Sequence, residues 1–306
     1  MRPTRKRDYK MVKRLVSASL LMLCLITASA QVKLAFNPNS GTKYEYQMEM
    51  VQNIKQNAMG QDMSMGTEMN TTYLMEVKEK TSQEIKVQFT YQRFVFAVSS
   101  SMMNIRYDSK SKTENPSEME VIFGKMFSTL IGKPFTVIFT PEGLVKSVSG
   151  MSAIIENMLK EASADGAIAA QLEAQLGQQF SEESMKNMFE QSFNFYPKNA
   201  VKVGESWDTE YNMPMNNMNF SIKNKNTLKE VKANKATIGV IGEMDVEMEE
   251  SKFTGMQTGT MIVDIATGMF VTSDVSINMK GNIKVQGMDI LMDMTSKTKT
   301  SVKEVK

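Results

Sequence analysis

The sequence contains no histidine, and its one cysteine, Cys24, falls inside an apolar run near the N-terminus. Without histidine there is no Ser-His-Asp or Cys-His nucleophilic system, and beyond residue 30 there is no zinc site built from His or Cys. A single cysteine leaves no intramolecular disulfide, so stability has to come from burial. Phosphate-cradling loops are missing as well: Gly255 and Gly259 lack the further Gly, Lys and Ser/Thr that such loops require. Basic residues are scattered instead of striped, which gives nucleic acid no electrostatic footprint. Neither a cofactor nor a nucleic-acid partner is expected.

Long apolar runs are also scarce. The one candidate, Leu15 to Thr27, is shorter than the roughly 20 residues a membrane helix needs. It follows Lys13 and Arg14 and precedes Ala28-Ser29-Ala30, the pattern of a signal peptide over residues 1–30 cleaved near Ala30. Cys24 follows Leu23, where a lipidation site places a small residue, so it reads as an inert part of that signal. The expected product is exported, periplasmic or secreted, with residues 31–306 forming one β-rich domain and no transmembrane helix after signal removal. Seven of the 36 Lys and Arg and one of the 34 Asp and Glu lie in the first thirty residues, so the remainder carries a net charge of about −4.

Methionine is abundant. Of 30 Met, all but Met1, Met11 and Met22 lie beyond residue 30, against nine Leu there. Because they follow the apolar period almost everywhere, they read chiefly as adaptable core filler in place of Leu. Met59, Met63, Met65 and Met69 form a dense cluster, and Met213, Met215 and Met218 a second one. Thioethers are soft ligands, and same-face neighbours on a strand lie about 6.6 Å apart, so the first cluster supplies an alternative reading as a Cu(I) or Ag(I) site.

Two-residue alternation marks both ends of the chain. Tyr44, Tyr46, Met48 and Met50 alternate with Lys43, Glu45, Gln47 and Glu49, the pattern of a half-buried strand. Met69 to Val77 and Ile85 to Tyr91 repeat it, and the pattern predicts further strands over 135–140, 144–148, 206–213, 238–248, 259–265, 269–279 and 290–302. Gly60-Gln61-Asp62, Pro141-Glu142-Gly143 and Ala266-Thr267-Gly268 supply turns. The middle, about 150–196, has helical spacing at Met151, Ile154, Ile155, Met158 and Leu159, then at Ile168, Leu172 and Leu176, then at Met185, Met188, Phe189 and Phe193 after an N-cap at Ser181. The fold expected is mainly β with helices: a curved antiparallel sheet or open barrel with two or three helices packed across it. Asn53-Ile54-Lys55 and Asn282-Ile283-Lys284 stand in similar hairpin contexts, a sign of two related β-meanders.

The opening Asn37-Pro38-Asn39-Ser40-Gly41-Thr42-Lys43-Tyr44, the Met-rich hairpin and Val201-Lys202-Val203-Gly204-Glu205-Ser206-Trp207 resemble an uncharacterised secreted bacterial family, domain of unknown function 6263. These motifs are strand starts and turns, so the resemblance carries over no catalytic residue. The strand-helix-strand plan is loosely similar to periplasmic lipoprotein-carrier folds, which implies a curved sheet around an apolar interior.

Candidate chemistry is thin. Glu45, Glu49, Glu76 and Glu84 fall on polar strand faces, and the S-x-x-K matches at Ser109 to Lys112 and Ser296 to Lys299 lack the helix N-terminus that a serine-lysine nucleophile uses. No enzyme is expected. The leading expectation is a protein that binds a lipid or other hydrophobic small molecule in the cell envelope, with Tyr44, Tyr46, Met48, Phe89 and Trp207 as wall residues. A structural or interaction protein with an envelope protein partner, and Met-based Cu(I) or Ag(I) binding, are the alternatives.

Overall fold

The computed structural model describes residues 31–58, 60–101, 103–162, 181–193, 195–215, 218–248, 251–285 and 288–306. The strands are β1 (Lys43–Ala58), β2 (Gln61–Lys80), β3 (Ile85–Ser100), β4 (Asn104–Asp108), β5 (Pro134–Phe139), β6 (Val145–Ser149), β7 (Ser206–Met215), β8 (Met218–Lys232), β9 (Lys235–Met248), β10 (Ser251–Asp264), β11 (Phe270–Val285) and β12 (Met288–Val305). The helices are α1 (Glu118–Ser128), α2 (Met151–Ala162) and α3 (Glu182–Phe193).

All twelve strands form one antiparallel sheet in the order β6-β5-β3-β2-β1-β12-β11-β10-β9-β8-β7, with β4 pairing the far half of β3. The first and last strands pair along their whole lengths, from Lys43 opposite Val305 to Ala58 opposite Ile290, and join two meanders into one surface. The sheet does not close into a barrel. Instead α3 contacts both β6 and β7, near the two ends of the strand order. A curved antiparallel sheet with helices packed against it is thus the architecture.

Alternation decides which side each residue faces. The outer face is polar and laced with cross-strand ion pairs, including Lys303–Glu45 at 2.8 Å, Lys280–Asp293 at 3.0 Å and Lys297–Asp274 at 3.4 Å. The inner face carries the core. At one end of the sheet Met75, Val77, Val87, Phe89, Val137 and Phe139 are buried beneath Met126 of α1, Met158 of α2, and Met185, Phe189 and Phe193 of α3. Phe189 packs on Phe89 and Phe135 at ring distances of 5.0 and 5.9 Å. The N-terminal segment adds Leu34 and Phe36, both about 1% exposed.

Several elements differ from the sequence expectation. The helix α1 was not predicted, although Ser117 and Glu120 form a reciprocal capping box at its start, in which the Ser117 side chain accepts from the Glu120 N–H and the Glu120 carboxylate accepts from Ser117 N–H. The strands β4 and β8 were also unpredicted, and β1 runs eight residues past Met50. The helical pattern at Ile168, Leu172 and Leu176, the expected signal peptide over 1–30 and Met59 lie outside the described residues.

A bulge at Gln92 keeps Phe94 and Phe96 on the inner face and turns Arg93 outward, where its guanidinium meets Asp108 of β4 at 2.6 Å. The hydrogen bond from Arg93 holds the Asp108 carboxyl below the usual carboxylate range. A lowered folded-state pKa contributes stability above the unfolded value of about 3.9, and this is lost as the pH falls below it. Arg93 is nearly half exposed, so the contribution is at most about 1 kcal/mol. Urea midpoints at pH 7 and pH 3 should show a smaller acid loss for Asp108→Asn than for the wild type; identical losses would remove the pair from the account.

Candidate ligand-binding face

Beyond the helix-covered end, the inner face continues toward the hairpin tips. Reading across the pairing register, one row runs Met65 (β2), Ile54 (β1), Met294 (β12), Met279 (β11), Gly255 (β10), Met244 (β9) and Ile222 (β8). The next row toward the tips carries Met63, Gln56, Met292, Gly281, Phe253, Val246 and Phe220. Ile222, Met244, Val246 and Met279 are buried and form a second apolar cluster with Phe220, Phe253, Ile277 and Met294. That cluster includes no helix residue. At its centre the strands approach closely: a Cβ on Gly255 would lie 2.5 Å from Cγ of its cross-strand partner Met279, so the methionine side chain lies across the glycine.

The β1–β2–β12 side of this row stays open. Met63 and Met65 are 38% and 37% exposed, and Ile54, Met292 and Met294 are part-buried. Gln52 and Gln56 of β1 donate to the sulfurs of Met294 and Met292 at 3.0 and 3.4 Å, which reconciles these amides with an apolar face. Between this strip and the main core lies a more polar band with Thr67, Gln52, Ser296, Gln257 and Asn224 on the inner side. Gln257 donates to Asn224 at 3.2 Å, and Asn226, one row further in, donates to Thr209 at 3.1 Å.

Four of the five wall residues expected from sequence belong to the main core or pack against it. Tyr44, Tyr46 and Phe89 are buried at the helix-covered end, with Phe89 stacked on Phe135 at 5.4 Å. Trp207 is part-buried on β7 and its indole N–H donates to the Phe195 carbonyl at 2.8 Å. Met48 lies on the inner face of β1 between Thr71 and Thr300. Of the methionine cluster, Met63 and Met65 belong to the open strip, while Met69 packs against the main core. Sequence reasoning missed the contribution of β12, because Met292 and Met294 join Met63 and Met65 only through the pairing of the first and last strands.

An open depression of about 810 Å³ spans the tips of the β1–β2 and β11–β12 hairpins; it shares Met63, Gln56, Met292 and Gly281 with the second row and adds Lys55, Asp62, Lys280, Asn282 and Asp293. Its charged lining belongs to the solvated outer face, where Asn57 already bonds Asp62 at 2.6 Å and Lys280 pairs with Asp293. Met63, Leu291 and Met292 make the rest of its wall apolar.

Each of Glu45, Glu76, Asp108 and Glu120 is pulled down by a hydrogen-bonding partner: Lys303, Lys78, Arg93 and the Ser117 backbone respectively.

Among curated proteins none matches the sequence. Solved structures give distant likenesses: lipovitellin, from a study of its lipid–protein interactions, at 7% identity and TM-score 0.43, with 88% of this chain but 25% of that chain covered. An outer membrane channel from Pseudomonas putida F1 follows at 8% identity and TM-score 0.25, with 91% and 100% covered. OccK7 (OpdD) of Pseudomonas aeruginosa is similar at 6% identity and TM-score 0.23, with 87% and 100% covered. The chain therefore spans about a quarter of the lipovitellin chain. Residues 82–270 match the model of a family of unknown function (DUF6263), and the chain belongs to that family.

Proposed function

We propose that this is an exported, non-enzymatic protein that binds a lipid or other hydrophobic ligand on the inner face of its sheet. The observation that carries the reading is the partly exposed strip of Met65, Ile54 and Met294, continuous with the apolar cluster around Met279 and Met244. From β2 to β10 the row crosses four strand spacings, about 19 Å. That is somewhat more than the half-thickness of the ~30 Å hydrocarbon core of a bilayer, long enough for one acyl chain. Thioether side chains repack around differently shaped apolar partners with little strain, which suits a ligand wall more than a rigid catalytic pocket. The absence of histidine and the signal-like residues 1–30 support the non-enzymatic and exported parts of the reading.

Protein purified without detergent should give a saturable fluorescence increase with N-phenyl-1-naphthylamine and carry lipid into native mass spectrometry. Ile54→Asp puts a charge in the middle of the strip and should weaken probe binding at least tenfold. An empty protein with no saturable probe binding would sink the proposal.

A further inference from the structure

The inner face holds hydroxyl groups that no protein partner uses. Thr71 of β2 is 6% exposed and its Oγ1 has no hydrogen-bond partner among the described residues. Two residues along the same face, Tyr73 stands between Tyr46 of β1 and Tyr91 of β3 as their direct cross-strand neighbour. Their rings lie 4.9 Å and 5.9 Å from that of Tyr73. No described residue bonds the hydroxyls of Tyr46, Tyr73 or Tyr91, whereas Tyr196 and Tyr211 donate to the carbonyls of Gly268 and Asn187 at 2.8 and 2.6 Å. A buried hydroxyl ordinarily finds a partner, so the Thr71 oxygen, beside three phenols that no described residue bonds, marks a place for an oxygen atom from elsewhere. Burial pushes the Tyr91 phenol up to about 12 and those of Tyr46 and Tyr73 well above their ordinary value. All three therefore remain protonated donors throughout the physiological range.

Charge narrows the choice. From the Tyr46 row to the hairpin tips, the inner positions of β1, β2, β3 and β12 hold no Lys, Arg, Asp or Glu. A carboxylate or phosphate there would be desolvated with no cation beside it, which is strongly unfavourable. A neutral carbonyl or hydroxyl needs only the donors and acceptors already present. Met48, the cross-strand neighbour of Thr71, is flexible enough to swing aside.

We infer that Thr71, Tyr46, Tyr73 and Tyr91 receive the ester carbonyl or hydroxyl of an uncharged lipid, such as an acylglycerol, whose chain lies along the Met65–Ile54–Met294 strip. This rests on the hydrophobic-ligand reading above. The test is displacement of N-phenyl-1-naphthylamine from the purified protein at pH 8 by monoolein, oleate or dioleoyl phosphatidylglycerol. Monoolein should compete at least tenfold better than either anion. Thr71→Val and Tyr73→Phe should each weaken monoolein about five- to tenfold relative to the probe, the equivalent of one lost hydrogen bond, with no fall in melting temperature because neither hydroxyl has a protein partner to lose. Anions competing as well as monoolein, probe binding without displacement by monoolein, or variants that leave the monoolein-to-probe ratio untouched would each overturn the inference while leaving the broader reading intact. Failure of the probe itself to bind overturns both.

Discussion

Phe193→Ala should lower the unfolding free energy by about 3–5 kcal/mol, the range for removing a buried aromatic ring. Phe193 is the last residue of α3 and is 6% exposed. Its ring meets Phe36 at 5.0 Å, Phe139 of β5 at 4.9 Å and Phe270 of β11 at 6.5 Å. It therefore ties the N-terminal segment, the first meander and the second meander through one side chain. Collapse into the vacated space is hindered because the surrounding rings belong to three separately anchored elements. At roughly 2–4 °C per kcal/mol for a domain of this size, the melting temperature should fall by about 6–20 °C. Phe193→Leu should cost distinctly less, since much of the volume remains. Calorimetry showing a loss below about 1 kcal/mol for the alanine variant would mean that α3 does not hold the two halves of the sheet together.

Gly255→Ala should cost about 1–3 kcal/mol, the usual range for overpacking, even though alanine is less demanding of backbone entropy. Its Cβ would press first on the Asn278 carbonyl oxygen and would lie 2.5 Å from Met279 Cγ and 3.0 Å from Met279 Cα. The methionine side chain can rotate away, but the Asn278 oxygen and Met279 Cα are backbone, so β10 and β11 must separate. Gly66→Ala is the control. There the nearest atom is Ser99 Oγ at 2.9 Å, the end of a side chain that can turn away, and the effect should stay within about 0.5 kcal/mol. Equal denaturant midpoints for the two variants would contradict the close approach of β10 and β11. Because Met279 belongs to one cluster with Met244, Gly255→Ala should also weaken hydrophobic-probe binding where Gly66→Ala does not.

Legibility of the fold followed how clean the alternation was. Tyr44 to Met50 and Ile85 to Tyr91 read as strands because their inward residues are all apolar and their outward ones polar. The extension of β1 past Met50 was hidden because the inward positions include Gln52 and Gln56, whose amides bond methionine sulfurs on β12. The strand β8 was hidden for the same reason: Asn224 and Asn226 face inward and find partners in Gln257 and Thr209, contacts that local periodicity does not reveal. By contrast α1 had a legible signal in the Ser117–Glu120 spacing, with Ile122, Met126 and Phe127 as its buried stripe. At the hairpin between β1 and β2, Gly60 takes the positive φ of 77° that its place in the turn motif implied.

By itself the sequence determined the chemistry that is missing, the β-rich class, the positions of several turns and the methionine content of the interior. These are local or compositional properties, set by residue type and by spacings of two to four residues. Only the tertiary structure decided that Met63 and Met65 share a strip with Met292 and Met294, that Tyr46, Tyr73 and Tyr91 form a row, and that β1 pairs with β12. The physical reason is register. Which inward residues become neighbours across a sheet depends on strand pairings between segments more than two hundred residues apart in the chain, and on coiling that brings one face together. Alternation within a strand is blind to both.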